Sequence, residues 1–109
     1  MAIIEEVLLE EYNRSVRISK AILKEMSNLP KGSIQIKHIN NRDYYYLMFR
    51  DGGKVISQYI PDSEVSELSE QIELRRENNK ALKEQERIRE KIIKALGKGY
   101  INEHSAERI

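Results

Sequence analysis

The chemistry that this sequence can support is concentrated in residues 42–54, RDYYYLMFRDGGK. Tyrosine rings can stack on nucleic-acid bases, and lysine and arginine can neutralise phosphates. Residues 30–61 hold the cations Lys31, Lys37, Arg42, Arg50 and Lys54 against the acids Asp43 and Asp51. We therefore predict a surface that binds nucleic acid or another partner, with the candidate residues Lys37, Arg42, Tyr44, Tyr46, Arg50, Lys54 and Tyr59.

No pattern in the sequence is typical of an enzyme. The serines lack the G-x-S-x-G elbow, and the DGGK stretch at 51–54 lacks the Ser or Thr that a phosphate-binding loop needs. His38 and His104 have no further ligands at metal-binding spacing. The absence of cysteine excludes disulfides and thiolate metal sites. We expect a non-enzymatic protein with no metal and no cofactor.

The elements that must position the candidate residues are three short strands. Residues 33–39, 44–50 and 55–60 alternate or are rich in β-branched and aromatic side chains. Asn40 and Asn41 separate the first two strands and DGGK the last two, and Asn and Gly tolerate the positive φ of tight hairpin turns. We predict a three-stranded antiparallel meander over residues 33–60.

The pattern of the middle strand does not choose which face of the sheet is buried. Alternate residues of a strand point to opposite faces. Tyr44, Tyr46 and Met48 form one set, and Tyr45, Leu47 and Phe49 form the other. Both sets are apolar. We expect the second to join the core, with the first helix and with Ile34, Ile36, Val55 or Ile56, Leu68 and Ile72.

Two helices flank the predicted sheet. Apolar residues recur at three- and four-residue spacing over residues 1–29, and Pro30 ends that helix. A second helix extends from a cap at Asp62 or Ser63 to residue 96, before Gly97. Its polar middle, at 78–79, implies either a break or a distal half that packs elsewhere. The stripe of Ile88, Ile92 and Leu96 can pair with the first helix, which we favour as an antiparallel pair backing the sheet, or with a second copy.

These elements define an α+β fold: N-terminal helix, meander, long helix and a short tail helix. We expect residues 1–109 to form one domain, with the tail at 97–109. No apolar run approaches the ~20 residues that span a bilayer. Glu5 and Glu6 interrupt the apolar N-terminus, so we expect no signal peptide and a cytoplasmic location.

Residues 29–73 resemble an uncharacterised family of short bacterial and mobile-element proteins. The shared motifs are L-P-x-G-S at 29–33, YYYL at 44–47, GGK at 52–54 and S-x-Y-I-P at 57–61. Many members of that family carry a cysteine cluster between the first two strands. This sequence has no cysteine, so a metal site of those relatives does not carry over. The resemblance implies no particular activity.

A second resemblance is to the arm-binding domains of phage-type integrases. Those domains are three-stranded sheets followed by a helix, with a Tyr…Arg…Gly-Lys strand and turn, and their sheet enters the DNA major groove. Tyr46, Arg50, Gly53 and Lys54 are similar in placement. The resemblance implies a nucleic-acid-binding protein of a phage or mobile element.

Three hypotheses for function follow. The first is a binding protein that engages nucleic acid or a nucleoprotein through its basic tyrosine-rich sheet. The second is a protein-directed inhibitor of a host nuclease, in the manner of anti-CRISPR proteins, in which an acidic helix imitates DNA. The third is a structural homo-oligomer, such as a dimer, that associates through Ile88, Ile92 and Leu96. The acids of the second hypothesis are Glu64, Glu67, Glu70, Glu73 and Glu77.

Overall fold

The computed structural model describes residues 2–107 and has the predicted α+β fold. Its elements are α1 (Ala2–Met26), β1 (Ser33–Ile39), β2 (Arg42–Asp51), β3 (Lys54–Ile60), α2 (Asp62–Leu96) and α3 (Lys98–His104). The first helix ends three residues before the predicted position, ahead of the segment that leads to Pro30. Residues 108 and 109 of the predicted tail lie outside the described residues.

The three strands form an antiparallel meander in the order β1-β2-β3. Asn40 and Asn41 connect β1 to β2 with φ of 52° and 62°, and Gly52 and Gly53 connect β2 to β3 with φ of 57° and 83°. Two consecutive residues with positive φ are the geometry of a two-residue hairpin turn whose twist matches that of the strands. The predicted turn residues therefore set the register of both hairpins.

The start of β1 requires a glycine. Gly32 has φ of 112°, a region that residues with a side chain rarely adopt. A Cβ at this position would clash with the backbone carbonyl oxygen of Met48 on β2. Gly32 thus lets the chain entering the sheet lie directly against the second strand.

One face of the sheet packs on the first part of α2. Leu47 and Ile60 from the sheet and Ile72 from α2 are the buried residues of this core. The partly buried residues around them are Ile34, Tyr45, Phe49, Val65 and Leu68. The expected assignment of Tyr45, Leu47 and Phe49 to the core is confirmed, and we call this side of the sheet the packed face.

Two details of the predicted core differ in the structure. Ile36 lies opposite Tyr45 on the packed face but remains 59% exposed, because β1 is an edge strand. Val55 is 58% exposed, since its partner Arg50 belongs to the other face of β2. Ile56, the alternative to Val55, lies opposite Phe49 and is half-buried.

The chain divides into two compact units, one of which is Asn28–Glu77, the sheet with the start of α2. The other unit contains α1, the rest of α2 and α3. The helical members of the sheet's core are Val65, Leu68 and Ile72, all from α2. The core of the sheet therefore takes its helical residues from α2 and not, as expected, from the first helix as well; α1 belongs to the second unit, and α2 is long enough to supply a helix to each.

A buried arginine links the helices of the second unit. Arg89 of α2 is 7% exposed, and its Nη1 donates to the hydroxyl oxygens of Ser19 (2.5 Å) and Ser15 (3.1 Å) on α1. The Ser15 hydroxyl in turn donates to Oε1 of Gln85 at 2.8 Å. Within residues 2–107, Arg89 has no carboxylate at ion-pair distance. The hydrogen-bond acceptors of its guanidinium are neutral serine oxygens.

The same unit includes α3 and the residues that follow it. Ser105 donates to the side-chain oxygen of Asn13 at 2.5 Å, and Ile101 of α3 is buried. Glu107 lies 3.3 Å from the guanidinium of Arg17 on α1. The predicted short tail helix is therefore present, and it is docked on the rest of this unit. No helix in the described part of the chain is both long and apolar enough to span a membrane.

Candidate nucleic-acid interface

The strand register collects six of the seven predicted binding residues on one face of the sheet. Tyr46 lies directly opposite Tyr59, and Lys37 directly opposite Tyr44. Arg42 and Arg50 share this face because they are separated from Tyr44 and Tyr46 by even numbers of residues along β2. We call this side the open face. It carries Ser33, Gln35, Lys37, Ile39, Arg42, Tyr44, Tyr46, Met48, Arg50, Val55, Ser57 and Tyr59.

Lys54 is the predicted residue that the register separates from the others. It pairs with Asp51, which has the parity of Leu47 and Phe49 and therefore belongs to the packed side of the sheet. Only the tight turn at Gly52 and Gly53 lies between Lys54 and β2. Spacing in the sequence brings Lys54 close to Arg50, whereas the alternation of the strands directs the two side chains to opposite faces.

The rings of the open face contact one another and the cations beside them. Tyr46 and Tyr59 meet edge to face, with centroids 5.8 Å apart and planes at 70°. The ammonium of Lys37 lies 4.5 Å from the centre of the Tyr46 ring, and the guanidinium of Arg42 lies 5.6 Å from that of Tyr44. Such cation–π contacts orient long side chains that would otherwise sample many rotamers.

The charge of the open face has a single sign. Within residues 33–60, all of which the structure describes, both acids belong to the opposite parity. Asp43 contacts Nδ1 of His38 at 2.7 Å near the first hairpin, and Asp51 lies opposite Lys54 at the second. The cations Lys37, Arg42 and Arg50 therefore have no carboxylate beside them on their own face, and their field adds up.

The open face is accessible to a ligand. Tyr59 is 51% exposed, Ile39 47% and Val55 58%, and the three cations are exposed. Tyr44, Tyr46 and Met48 are half-buried by their neighbours along the middle strand. A flat surface with aromatic and apolar groups in its middle row and cations around them can contact bases and phosphates together.

Sequence reasoning left six residues of this face out of the candidate site. They are Ser33, Gln35, Ile39, Met48, Val55 and Ser57. The period of two that groups Tyr44 with Tyr46 also includes Met48, and the hairpin turns extend it to the neighbouring strands. These residues were left out because the candidate site was restricted to cations and tyrosines.

The predicted oligomer stripe lies in the second unit, which contains α1, the rest of α2 and α3 and which we call the helical unit. Ile92 is 6% exposed in the single chain, while Ile88 and Leu96 are half-buried. The structure therefore covers the centre of the stripe with the chain's own residues, which is the intramolecular packing that the sequence left open as one alternative. Association through the remaining surface of Ile88 and Leu96 stays a prediction.

The sequence was also compared with protein families, curated proteins and solved structures. Neither the curated proteins nor the solved structures contain a match to it. The model of one family, described as a domain of unknown function (DUF6788), matches residues 4–70. This range includes the whole open face and ends before the stripe at residues 88–96. Since the match extends over more than half of the chain, this protein is a member of the DUF6788 family.

Proposed function

We propose that this protein is a non-enzymatic nucleic-acid-binding protein that contacts its ligand with the open face of the sheet. The observation that carries the proposal is the segregation of charge by strand register. Lys37, Arg42 and Arg50 share a face with Tyr44, Tyr46 and Tyr59, and both acids of the sheet belong to the other face. A polyanion with flat bases is complementary to this combination.

The dimensions of the face suit this ligand. Neighbouring strands lie about 4.8 Å apart, so the face is about 10 Å across, and the row from Arg42 to Arg50 extends over about 27 Å at ~3.4 Å per residue. The resemblance to integrase arm-binding domains supports only the use of a sheet as the binding surface, because those domains present a sheet of the same strand number to DNA. A role in a phage or mobile element is part of the same proposal.

Three cations imply modest affinity with a clear salt dependence. The formal net charge of the whole chain is only +1, so attraction comes from the local face rather than from the molecule as a whole. Binding should therefore be strongest at low ionic strength and weaken as salt competes for the phosphates.

The test is fluorescence anisotropy with labelled single-stranded DNA, duplex DNA and RNA, at about 50 mM and about 200 mM salt. The variant Arg50→Glu reverses one charge on the open face. The matched control is Lys54→Glu, which makes the same change on the opposite face of the same hairpin. We expect Arg50→Glu to weaken binding about tenfold or more and Lys54→Glu to change it little, because close charges dominate phosphate contact.

Two results would contradict the proposal. One is the absence of binding to all probes at the lower salt concentration, which would redirect the search to a protein target such as a host nuclease. The other is an equal loss of affinity in both variants, which would show that the face does not determine binding. Melting curves of both variants within a few degrees of the parent confirm that the comparison concerns binding rather than folding.

A further inference from the structure

We infer that the ligand of the open face is a short single strand, with a base stacked on Tyr59 and its phosphates on the surrounding cations. This inference rests on the proposed function and specifies its ligand. The footprint implied by the length of the face is about four nucleotides, the low end of the range for small single-strand-binding domains.

The arrangement of the two rings leaves aromatic surface for a base. Tyr46 and Tyr59 meet edge to face at 70°, and the ammonium of Lys37 lies over the Tyr46 ring, so the accessible aromatic surface is that of Tyr59. Tyr59 is 51% exposed although it contacts Tyr46. An unpaired base can therefore stack on ring surface that is already held in position, and little side-chain entropy is lost when it binds.

The cations lie where the backbone of such a strand would run. Arg42 and Arg50 stand at the two ends of the β2 row, and Tyr44, Tyr46 and Met48 lie between them. Lys37 approaches from β1, 4.5 Å from the Tyr46 ring. Bases placed over the middle of the row would thus have a cation within reach on three sides. The phosphates on either side of such bases could therefore each contact a cation.

A duplex fits the same face less well. Reading a major groove requires side chains that extend from the protein and offer forked donors or acceptors to base edges. Here Lys37 and Arg42 lie against tyrosine rings, and the middle of the face holds rings and the Met48 thioether. Paired bases are also stacked on each other, so their ring faces are not accessible to tyrosine.

The experiment measures anisotropy with three fluorescein-labelled probes of about 12 nucleotides and the same mixed sequence: single-stranded DNA, single-stranded RNA and duplex DNA. We expect the intact protein to bind at least one single strand about tenfold more tightly than the duplex. Comparison of the DNA and RNA strands identifies which sugar the face prefers, since the 2′-hydroxyl is what distinguishes them.

The variants separate stacking from other roles of the ring. Tyr59→Leu removes the aromatic surface and should weaken single-strand binding about fivefold or more. Tyr59→Phe keeps the ring and removes the hydroxyl, so its affinity should stay within about twofold of the parent. Because Tyr59 is half exposed on an edge strand, both variants should fold.

Different results overturn different statements. Duplex binding as tight as single-strand binding, or Tyr59→Leu with unchanged affinity, would overturn the single-strand inference and leave nucleic-acid binding in place. A failure of all three probes to bind at about 50 mM salt would overturn the proposed function itself.

Discussion

Arg50 and Lys54 border the same hairpin turn but belong to opposite faces of the sheet. Arg50 pairs with Val55 on the open face, and Lys54 pairs with Asp51 on the packed side. Lys54 adjoins the turn and Arg50 lies one residue further from it, so the chain offers a closely matched pair for any test of where charge matters. This relationship determines which part of the basic segment can act together with the tyrosines.

The salt dependence of binding should report the number of cations on the open face. Three phosphate contacts to a single strand predict a slope of about −2 in a plot of log Kobs against log salt, at ~0.7 per phosphate. Arg42→Gln should reduce the magnitude of the slope by about 0.7, whereas Lys54→Gln should leave it unchanged. Titration at four or more salt concentrations measures both, and equal slopes for all three proteins would contradict the assignment.

Gly32 should be among the positions of the sheet most sensitive to substitution. In Gly32→Ala, the positive φ and the clash of the new Cβ with the Met48 carbonyl act together, and we expect the free energy of unfolding to fall by about 2–4 kcal/mol. Gly52→Ala is the control, since Gly52 also has positive φ but open space around its Cα, and should cost about 1 kcal/mol. Urea unfolding of both variants measures the two losses in the free energy of unfolding. Equal losses would show that the backbone at Met48 shifts to accommodate the new Cβ.

Arg89 should be energetically coupled to Ser19. Arg89→Ala removes a guanidinium that is bonded to two serine hydroxyls and leaves a cavity, so we expect a loss of about 2–4 kcal/mol in the free energy of unfolding. The double variant with Ser19→Ala should lose less than the sum of the single variants, by about 0.5 kcal/mol or more.

The control for this double-mutant cycle is Arg87, two residues before Arg89 on the same helix. Arg87 is exposed, and its Nη1 lies 3.2 Å from Oε2 of Glu84, three residues earlier. Because exposed ion pairs contribute little, Arg87→Ala should change the free energy of unfolding by no more than about 0.5 kcal/mol. Strict additivity of the Arg89 and Ser19 substitutions would mean that their 2.5 Å contact contributes nothing to stability.

Ile92→Asp should destabilise the helical unit rather than produce a well-folded monomer. Ile92 is 6% exposed within the chain, and a carboxylate there would lose its hydration without gaining a partner. We expect a loss of more than about 3 kcal/mol, measured by thermal or urea unfolding, whereas Lys91→Asp at the exposed neighbouring position should change little. A parent-like melting temperature for Ile92→Asp would contradict the packing described here.

Self-association through the same stripe therefore needs a different variant. Leu96 is half-buried, so Leu96→Glu can weaken a contact between copies while it disturbs the core less. If the parent forms a dimer, its mass by light scattering should rise with concentration, and the variant should remain monomeric. A parent that is monomeric at all concentrations would exclude the oligomer hypothesis.

Much of the architecture could be predicted because its signals are local. Asn40 and Asn41, and Gly52 and Gly53, adopt positive φ as their residue types allow, so the hairpins and their register follow from neighbouring residues. The end of α2 at Leu96, before Gly97, follows in the same way. Period-two alternation then assigns every strand residue to one of two sets.

Other features depend on packing between elements that are distant in the chain. Both faces of β2 are apolar, and the stripe of Val65, Leu68 and Ile72 on α2 covers only the face of Leu47. That choice leaves Tyr46 and Tyr59 accessible. Ile36 shows the limit of the alternation, since its face is packed but its strand is at the edge.

The length of α2 has the same kind of consequence. Its apolar stripes indicated packing of Leu68 and Ile72 on the sheet and of the distal stripe on the first helix, but not that the helical residues of the sheet's core would come from α2 alone. Local backbone preferences are properties of adjacent residues, whereas burial is a property of the partner surface. The two sets of strand residues were therefore predictable, and the identity of the exposed set depended on where α2 packs.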